Sequence, residues 1–98
     1  MQINLVIDEK ERIFVASFIP ARAFRKLLEI RKNMDLINLT AEQLDEIVGL
    51  ISNSIFKGQF TVDEFYDGLD SRELLPIVGK VFTEVSGTGN DEGNVPKG

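Results

Sequence analysis

Five acidic side chains between residues 63 and 73 form the densest group that could bind a metal ion or transfer a proton: Asp63, Glu64, Asp67, Asp70 and Glu73. A calcium loop needs oxygen ligands at alternate positions, a central glycine and a terminal bidentate glutamate, and this spacing does not match. The carboxylates fall instead at expected helix starts, where they can cap N–H groups and face the positive end of a helix dipole. We therefore predict no metal site.

The residue types on which most enzymes depend are missing, since the chain has neither His nor Cys. It thus lacks the usual general base, the thiol nucleophile and the main ligands of transition metals. Without disulfides, the chain suits a reducing cytoplasm. We expect a protein with no catalytic residue, no metal ligand and no cofactor, which acts by binding another protein.

The formal charge of −5 is unevenly distributed along the 98 residues. Residues 1–35 have 7 Lys/Arg against 5 Asp/Glu, whereas residues 36–98 have 4 against 11. An acidic chain argues against a dedicated nucleic-acid binder, because phosphate neutralisation requires a basic surface. No apolar run approaches the roughly 18 residues of a membrane span. We therefore expect neither nucleic acid nor membrane as a partner.

The first 18 residues have the alternation of a β-hairpin. Ile3, Leu5 and Ile7 share one face of a predicted strand over residues 2–7, and residues 12–18 are β-branched and aromatic. The polar stretch over residues 8–11 lies between them. A lone two-stranded ribbon is marginally stable in water. This one must pack on helices or pair with another chain, so its open edges predict a homo-oligomer.

Pro20 begins a helical stretch that carries the candidate partner-binding residues. Phe24, Leu27, Leu28 and Met34 fall on one side at helical spacing, and Arg31 projects into the middle of that side. A buried unpaired guanidinium is costly, so Arg31 must reach solvent, a carboxylate or a partner. The opposite side is basic. We predict a binding surface on this helix with a charged rim and Arg31 as an anchor: Arg22, Arg25, Lys26 and Arg31.

Three later helix starts have capping-box patterns with hydrophobic staples. Thr40 is followed by Gln43, Thr61 by Glu64, and Asp70 by Glu73, each with apolar residues before the cap and after the first turn. They predict helices over about 41–56, ending at Gly58, over 62–67, ending at Gly68, and from 71 onward. Pro76 falls late enough in the last helix to kink or restart it.

The predicted fold class is α+β, mainly α: an N-terminal β-hairpin, a compact bundle of about four helices and a disordered C-terminal tail. Residues 1–86 form one domain and residues 87–98 a flexible glycine-rich tail. The predicted core consists of Phe24, Leu27, Leu28, Leu44, Ile47, Val48, Ile51, Phe60, Phe65, Leu69, Leu74, Val78, Val81 and Phe82.

Two stretches carry a family resemblance that runs from residue 2 to about 86. Residues 18–22 (Phe-Ile-Pro-Ala-Arg) follow the hairpin, and residues 59–69 read Gln-Phe-Thr-Val-Asp-Glu-Phe-Tyr-Asp-Gly-Leu. In these the chain resembles the tail assembly chaperones of long-tailed phages and prophages of Gram-positive bacteria. The resemblance implies that the chain coats the tape measure protein in the host cytoplasm and is absent from the finished virion.

Members of that group are often extended by a programmed −1 ribosomal frameshift into a longer form that recruits the major tail protein. Val95-Pro96-Lys97 can be encoded as GTC-CCA-AAG, which contains a slippery heptamer, although an ordinary C-terminus explains the residues equally well. Two other interpretations stay open. One is a small regulator that binds nucleic acid through basic helix 1, and the other is a structural tail subunit.

Overall fold

A β-hairpin and four helices follow one another in the computed structural model, which describes residues 1–35 and 37–87. The hairpin consists of β1 (Gln2–Ile7) and β2 (Lys10–Val15). The helices are α1 (Ala21–Arg31), α2 (Ala41–Gly49), α3 (Val62–Gly68) and α4 (Ser71–Ser86). The predicted mainly α, α+β fold is confirmed. The predicted tail lies outside the described residues except for Gly87, and the domain boundary at residue 86 stays a prediction.

The hairpin turn is tighter than its sequence indicates. Ile7 pairs with Lys10, so only Asp8 and Glu9 form the loop, with φ of 54° and 67°. Positive φ at both loop residues is typical of a type I′ turn, whose twist matches that of the strands. Strand β2 therefore begins at Lys10, two residues earlier than predicted.

The inner face of the hairpin packs on the helices. Ile3 and Leu5 are fully buried, as the alternation predicts, and Phe14 lies opposite Ile3 on β2. The ring of Phe14 meets that of Phe60 edge-on, with centroids 5.0 Å apart. Aromatic pairs at this distance add to the stabilisation from burial. The hairpin is thus fastened to the segment just before α3.

Most of the predicted core of the helical part is buried. Eight of the predicted residues are buried, and four more pack against them from partly buried positions: Leu44, Leu69, Leu74 and Phe82. Phe24 and Leu28 were assigned to the core wrongly, because both are exposed on α1. Core residues missing from the prediction include Ala23, Ile30, Leu50 and Phe56.

The predicted second helix changes its winding half-way. After α2 the chain continues as a π-helical segment over Leu50–Ile55, in which the N–H of Phe56 donates to the carbonyl of Ile51 at 2.9 Å. The wider turn brings Phe56 onto the same buried side as Ile51. The buried hydroxyl of Ser52 donates to the carbonyl of Phe60 at 2.5 Å. Gly58 has a φ of 79°, which confirms the predicted left-handed end.

Two of the three predicted capping boxes are confirmed. Thr40 with Gln43 and Thr61 with Glu64 each form both reciprocal hydrogen bonds. For the third box, at Asp70, the predicted hydrogen-bond partner is wrong. The carboxylate of Asp70 accepts from the backbone N–H of Arg72 at 2.8 Å, and the N–H of Asp70 donates no reciprocal bond to the carboxylate of Glu73. The short side chain of Asp70 reaches the second helical residue rather than the third, and the guanidinium of Arg72 then occupies it.

Helix α4 runs through Pro76 without a break, so the predicted alternative of a restart is wrong. Proline at this position removes the hydrogen bond to the carbonyl of Arg72, four residues earlier. Arg72 is exposed, so water can reach that carbonyl. The helix ends at Gly87, whose φ of 74° provides a left-handed cap. In the part of the chain that the structure describes, no helix is long and apolar enough to cross a bilayer.

Candidate partner-binding surface

The orientation of α1 decides which of its side chains a partner can contact. The buried residues of this helix are Ala23, Leu27 and Ile30. At about 100° per residue, the centre of this buried face lies about 70° around the helix from the centre of the predicted apolar face. The rotation turns small Ala23 toward the core and moves two larger apolar side chains to the flank.

Those two side chains, Phe24 and Leu28, are separated by one helical turn and are 37% and 48% exposed. We call them the α1 ridge. Residues four apart lie one above the other on a helix surface, so the ridge is a continuous apolar strip about two side chains long. Such a strip can pack into the groove of another helix or accept the apolar stripe of an amphipathic one.

Arg31 lies beside the ridge, at its C-terminal end. Its guanidinium carbon is 5.5 Å from the ring centroid of Phe82 on α4. The sequence requires Arg31 to reach solvent, a carboxylate or a partner, and its side chain meets this requirement without a second molecule. The side chain is exposed at the flank of α1 and is attracted to the π face of Phe82.

The other three predicted residues do not join Arg31 in one cluster. Arg25 donates to Glu29 at 2.8 Å, and the ammonium of Lys26 lies 3.7 Å from the same carboxylate. Around the helix, Arg25 projects away from the core, whereas Arg22 and Lys26 lie on the flank opposite Arg31. Lys26 lines two shallow depressions with Glu46 of α2. Sequence spacing placed Arg31 on one side of α1 and the other three cations on the opposite side, whereas the fold distributes the four over three sides.

A second apolar surface lies on the outer face of the hairpin. Val6, Ile13 and Val15 are about half exposed there, on the side away from the core. Phe18, which follows β2, is 67% exposed and has the ammonium of Lys57 over its ring at 5.0 Å. This surface was absent from the prediction, although the alternation of residues 12–16 places Ile13 and Val15 opposite the buried face.

Two of the acidic side chains near α3 and α4, those of Glu64 and Asp70, serve as caps. Arg72 donates to the carboxylate of Asp70 at 2.7 Å, and this hydrogen bond, with that from the Arg72 backbone, lowers the pKa of Asp70. Glu64 completes the capping box of Thr61. Over residues 1–35 and 37–87, no group of three or more acidic, His or Cys side chains is arranged to hold a metal ion.

Exposed apolar strips on a small helical domain point to a protein partner, and comparison with known families identifies the kind of protein. Residues 1–97 match the family described as phage tail chaperone protein. The chain belongs to this family. The resemblance seen in its sequence is thereby confirmed. Searches of curated proteins and of solved structures gave no match.

The sequence prediction placed the binding surface on α1 but missed the α1 ridge as an exposed part of it, because it assigned both ridge residues to the core. The pattern of α1 supports two apolar stripes, one through Phe24 and Leu28 and one through Ala23 and Ile30, with Leu27 common to both. The first stripe was predicted to be the buried one because it contains the larger side chains. The second is the buried one, which leaves the larger side chains of the chaperone available at its surface.

Proposed function

We propose that this tail chaperone binds the tape measure protein and keeps it soluble while the tail is assembled, without catalysis. The tape measure is a long helical protein whose apolar stripe would aggregate if it were left uncovered. The proposed site of action is the host cytoplasm. The chaperone leaves when the tube polymerises and is not part of the finished virion. Membership of the tail chaperone family supports this proposal.

The observation that carries the proposal is the α1 ridge. Phe24 and Leu28 offer the one-turn spacing with which a helix recognises another helix. Arg25 supplies a cation on the neighbouring side of the helix, and Arg31 supplies a second one at the end of the ridge, whereas Lys26 lies on the opposite flank. Cations that flank an apolar centre select partners by charge and exclude water from it.

Two further partners belong to the proposal. Several copies of the chain bind along one tape measure protein, because the ridge covers only a short part of a long helix. A longer form, made by ribosomal frameshifting near residues 95–97, recruits the major tail protein. Its extension would follow the glycine-rich stretch after residue 86.

The test is co-expression with the tape measure protein encoded downstream, scoring how much of that protein becomes soluble and co-purifies. We expect the native chain to solubilise it. The double variant Phe24→Ser/Leu28→Ser should fold, because both residues are exposed, and should lose most of this effect. The control is Ile13→Thr, which removes an even more exposed apolar side chain from the hairpin and should leave solubilisation unchanged.

The predicted charged residues of α1 are tested with Arg25→Glu/Lys26→Glu, which should weaken co-purification without lowering the melting temperature. If the ridge variant binds the tape measure protein as well as the native chain does, the ridge on α1 is not the binding site. If the tape measure protein stays insoluble although the native chain is folded and abundant, the frameshifted form must be tested before the proposed function is rejected. Detection of this chain in purified virions by mass spectrometry would favour a structural tail subunit instead.

A further inference from the structure

The outer edge of β1 is an unpaired strand edge. Met1 and Ala16 exchange two backbone hydrogen bonds, of 2.7 and 2.8 Å. In an antiparallel ladder such pairs alternate, so the odd residues of β1 bond to β2, and the N–H and C=O groups of Gln2, Asn4 and Val6 point away from it. Within the described residues, none of these outward groups bonds to another backbone group.

One end of this edge is closed by Gly68. A Cβ atom built on Gly68 would lie 2.6 Å from the carbonyl oxygen of Val6 and 3.1 Å from its nitrogen, so α3 contacts the strand there. Gln2 and Asn4 keep their outward groups open to a groove of about 610 Å³ between β1 and α4. The far wall of the groove includes Glu73, Ile77 and Lys80.

The two edges of the hairpin differ in how they are protected. Strand β2 has Lys10, Glu11 and Arg12 in sequence, and the side chain of Gln59 donates to its outward Val15 carbonyl at 2.9 Å. Strand β1 (Gln-Ile-Asn-Leu-Val-Ile) has no charged side chain and no proline. Proteins use charges, prolines and covering loops to prevent pairing at exposed edges, and β1 has none of these at its open end.

We propose that this open edge pairs with β1 of a second copy of the chain. The two strands run antiparallel about a two-fold axis at Ile3, so that Gln2 of each copy lies opposite Asn4 of the other. This register uses only outward groups that are open, and it forms four backbone hydrogen bonds. Two-fold pairing of identical surfaces is the commonest way in which soluble proteins associate. The result is a four-stranded sheet across the dimer.

The charges along the groove support a second copy as the occupant. Glu11 pairs with Val6, Asp70 follows Gly68 closely and Glu73 lies in the first turn of α4, whereas Lys80 lies two turns further along that helix. A two-fold axis at Ile3 brings the acidic end of each copy toward Lys80 of the other. The side chains directly opposite one another are the neutral amides of Gln2 and Asn4, so no like charges meet across the pair.

The decisive variant is Asn4→Pro. Proline lacks a backbone N–H, and the N–H of Asn4 is one that points into the groove. The bonds between β1 and β2 are therefore retained, and only the dimer loses donors. Asn4→Ala is the matched control, because it removes the same side chain and its hydrogen bond to Glu11 but keeps the N–H. Circular dichroism and thermal melts would check that both variants fold.

Light scattering and sedimentation would be measured from about 1 µM to about 1 mM, a range that covers weak strand-mediated dimers. The native chain and Asn4→Ala should dimerise, and Asn4→Pro should raise the dissociation constant at least about tenfold. If Asn4→Pro fails to fold, Lys80→Glu replaces it. Lys80→Glu should weaken the dimer, and Lys80→Glu/Glu73→Lys should restore it.

A native chain that stays monomeric at 1 mM would overturn the proposal, as would a folded Asn4→Pro variant that dimerises like the native chain. The inference concerns a surface separate from the α1 ridge and does not depend on the tape measure protein as ligand. A monomeric Asn4→Pro variant that still solubilises the tape measure protein would support the dimer interface and the proposed function as independent properties. A ridge variant that still dimerises but no longer solubilises the tape measure protein would also show that the two properties are independent.

Discussion

The guanidinium carbon of Arg31 lies 5.5 Å from the ring centroid of Phe82, and this contact joins the end of α1 to α4. The sequence of α1 places a cation beside apolar residues, where a buried charge would be costly. The fold resolves the conflict by turning Arg31 to the flank of the helix and placing it over an aromatic ring. At an exposed site, such a contact contributes about 0.5–1 kcal/mol.

Replacing either partner should therefore cost little by itself but reveal coupling. Arg31→Gln and Phe82→Leu, made singly and together, form a double-mutant cycle in urea unfolding. We expect a coupling free energy of about 0.5–1 kcal/mol. Arg25→Gln is the control for loss of a cation from α1, since its exposed pair with Glu29 should contribute no more than about 0.5 kcal/mol. Additive effects of Arg31 and Phe82 would contradict an attractive contact.

Local patterns predicted the parts of this fold whose causes are local. The boxes at Thr40 and Thr61 depend on residues three apart, and both are present. The alternation of β1 correctly assigned Ile3 and Leu5 to one face, and the left-handed backbone of Gly58 followed from its position after a helix. In each case, residues within one or two turns determine the outcome.

The rotation of α1 has a non-local cause. Its sequence supports two apolar stripes, and contact with neighbouring helices decides between them. Small Ala23 is buried and Phe24 is exposed, so the stripe with fewer large side chains is the buried one. The π-helical winding after α2 is similarly unpredictable, because it depends on how Ser52 and Phe56 meet the segment around Phe60.

Gly68 is another position whose role only the tertiary structure reveals. The sequence explains it as a helix terminator, yet its Cα lies against the backbone of Val6, where an added Cβ would be 2.6 Å from the carbonyl oxygen. Gly68→Ala should force the hairpin and α3 apart and reduce the free energy of unfolding by about 1–3 kcal/mol. Urea unfolding followed by circular dichroism would measure this loss.

Gly79→Ala provides the comparison for Gly68→Ala. Gly79 lies inside α4, and apart from the neighbouring backbone of the helix itself no atom is within 4 Å of an added Cβ, so alanine should stabilise the protein by about 0.5–1 kcal/mol through its higher helix propensity. Opposite signs are expected for the same chemical change. A neutral Gly68→Ala variant would mean that α3 does not contact β1 as closely as described.

The start of α3 should depend on Thr61. Its hydroxyl accepts from the backbone N–H of Glu64 at 3.0 Å, and Thr61→Ala removes that acceptor, at a cost of about 1 kcal/mol. Thr83→Ala is the matched control inside α4, where the hydroxyl donates to the carbonyl of Lys80. Removing that helix-interior bond should be neutral or slightly stabilising. Equal losses in thermal or urea unfolding would contradict the capping role of Thr61.

Tyr66 should give the protein a characteristic response to alkaline pH. Its phenol donates to Asp45 at 2.5 Å, which joins α3 to α2. Burial, then the hydrogen bond to Asp45 and the charge of that carboxylate raise the pKa of Tyr66 above its usual value of 10.0. Since the chain has one Tyr and no Trp, a titration of absorbance near 295 nm reports this group alone.

The sign of the stability change follows from the raised pKa. Below pH 10 both the folded and the unfolded chain keep the phenol protonated, so its contribution is fully present there. As the pH rises above 10, the unfolded chain loses this proton first, and the contribution declines toward the folded-state pKa. Tyr66→Phe should cost about 1 kcal/mol at neutral pH, and the difference from the native chain should shrink in alkali.

Asp45→Asn separates the causes of this shift. It removes the charge and weakens the acceptor while burial of the ring is unchanged, so the pKa of Tyr66 should fall toward 10.0 without reaching it. Tyr66→Phe is the reference that corrects the stability measurements for every other effect of alkaline pH. A native titration midpoint at 10.0 would mean that the phenol is solvated and that the contact between α2 and α3 does not persist in solution.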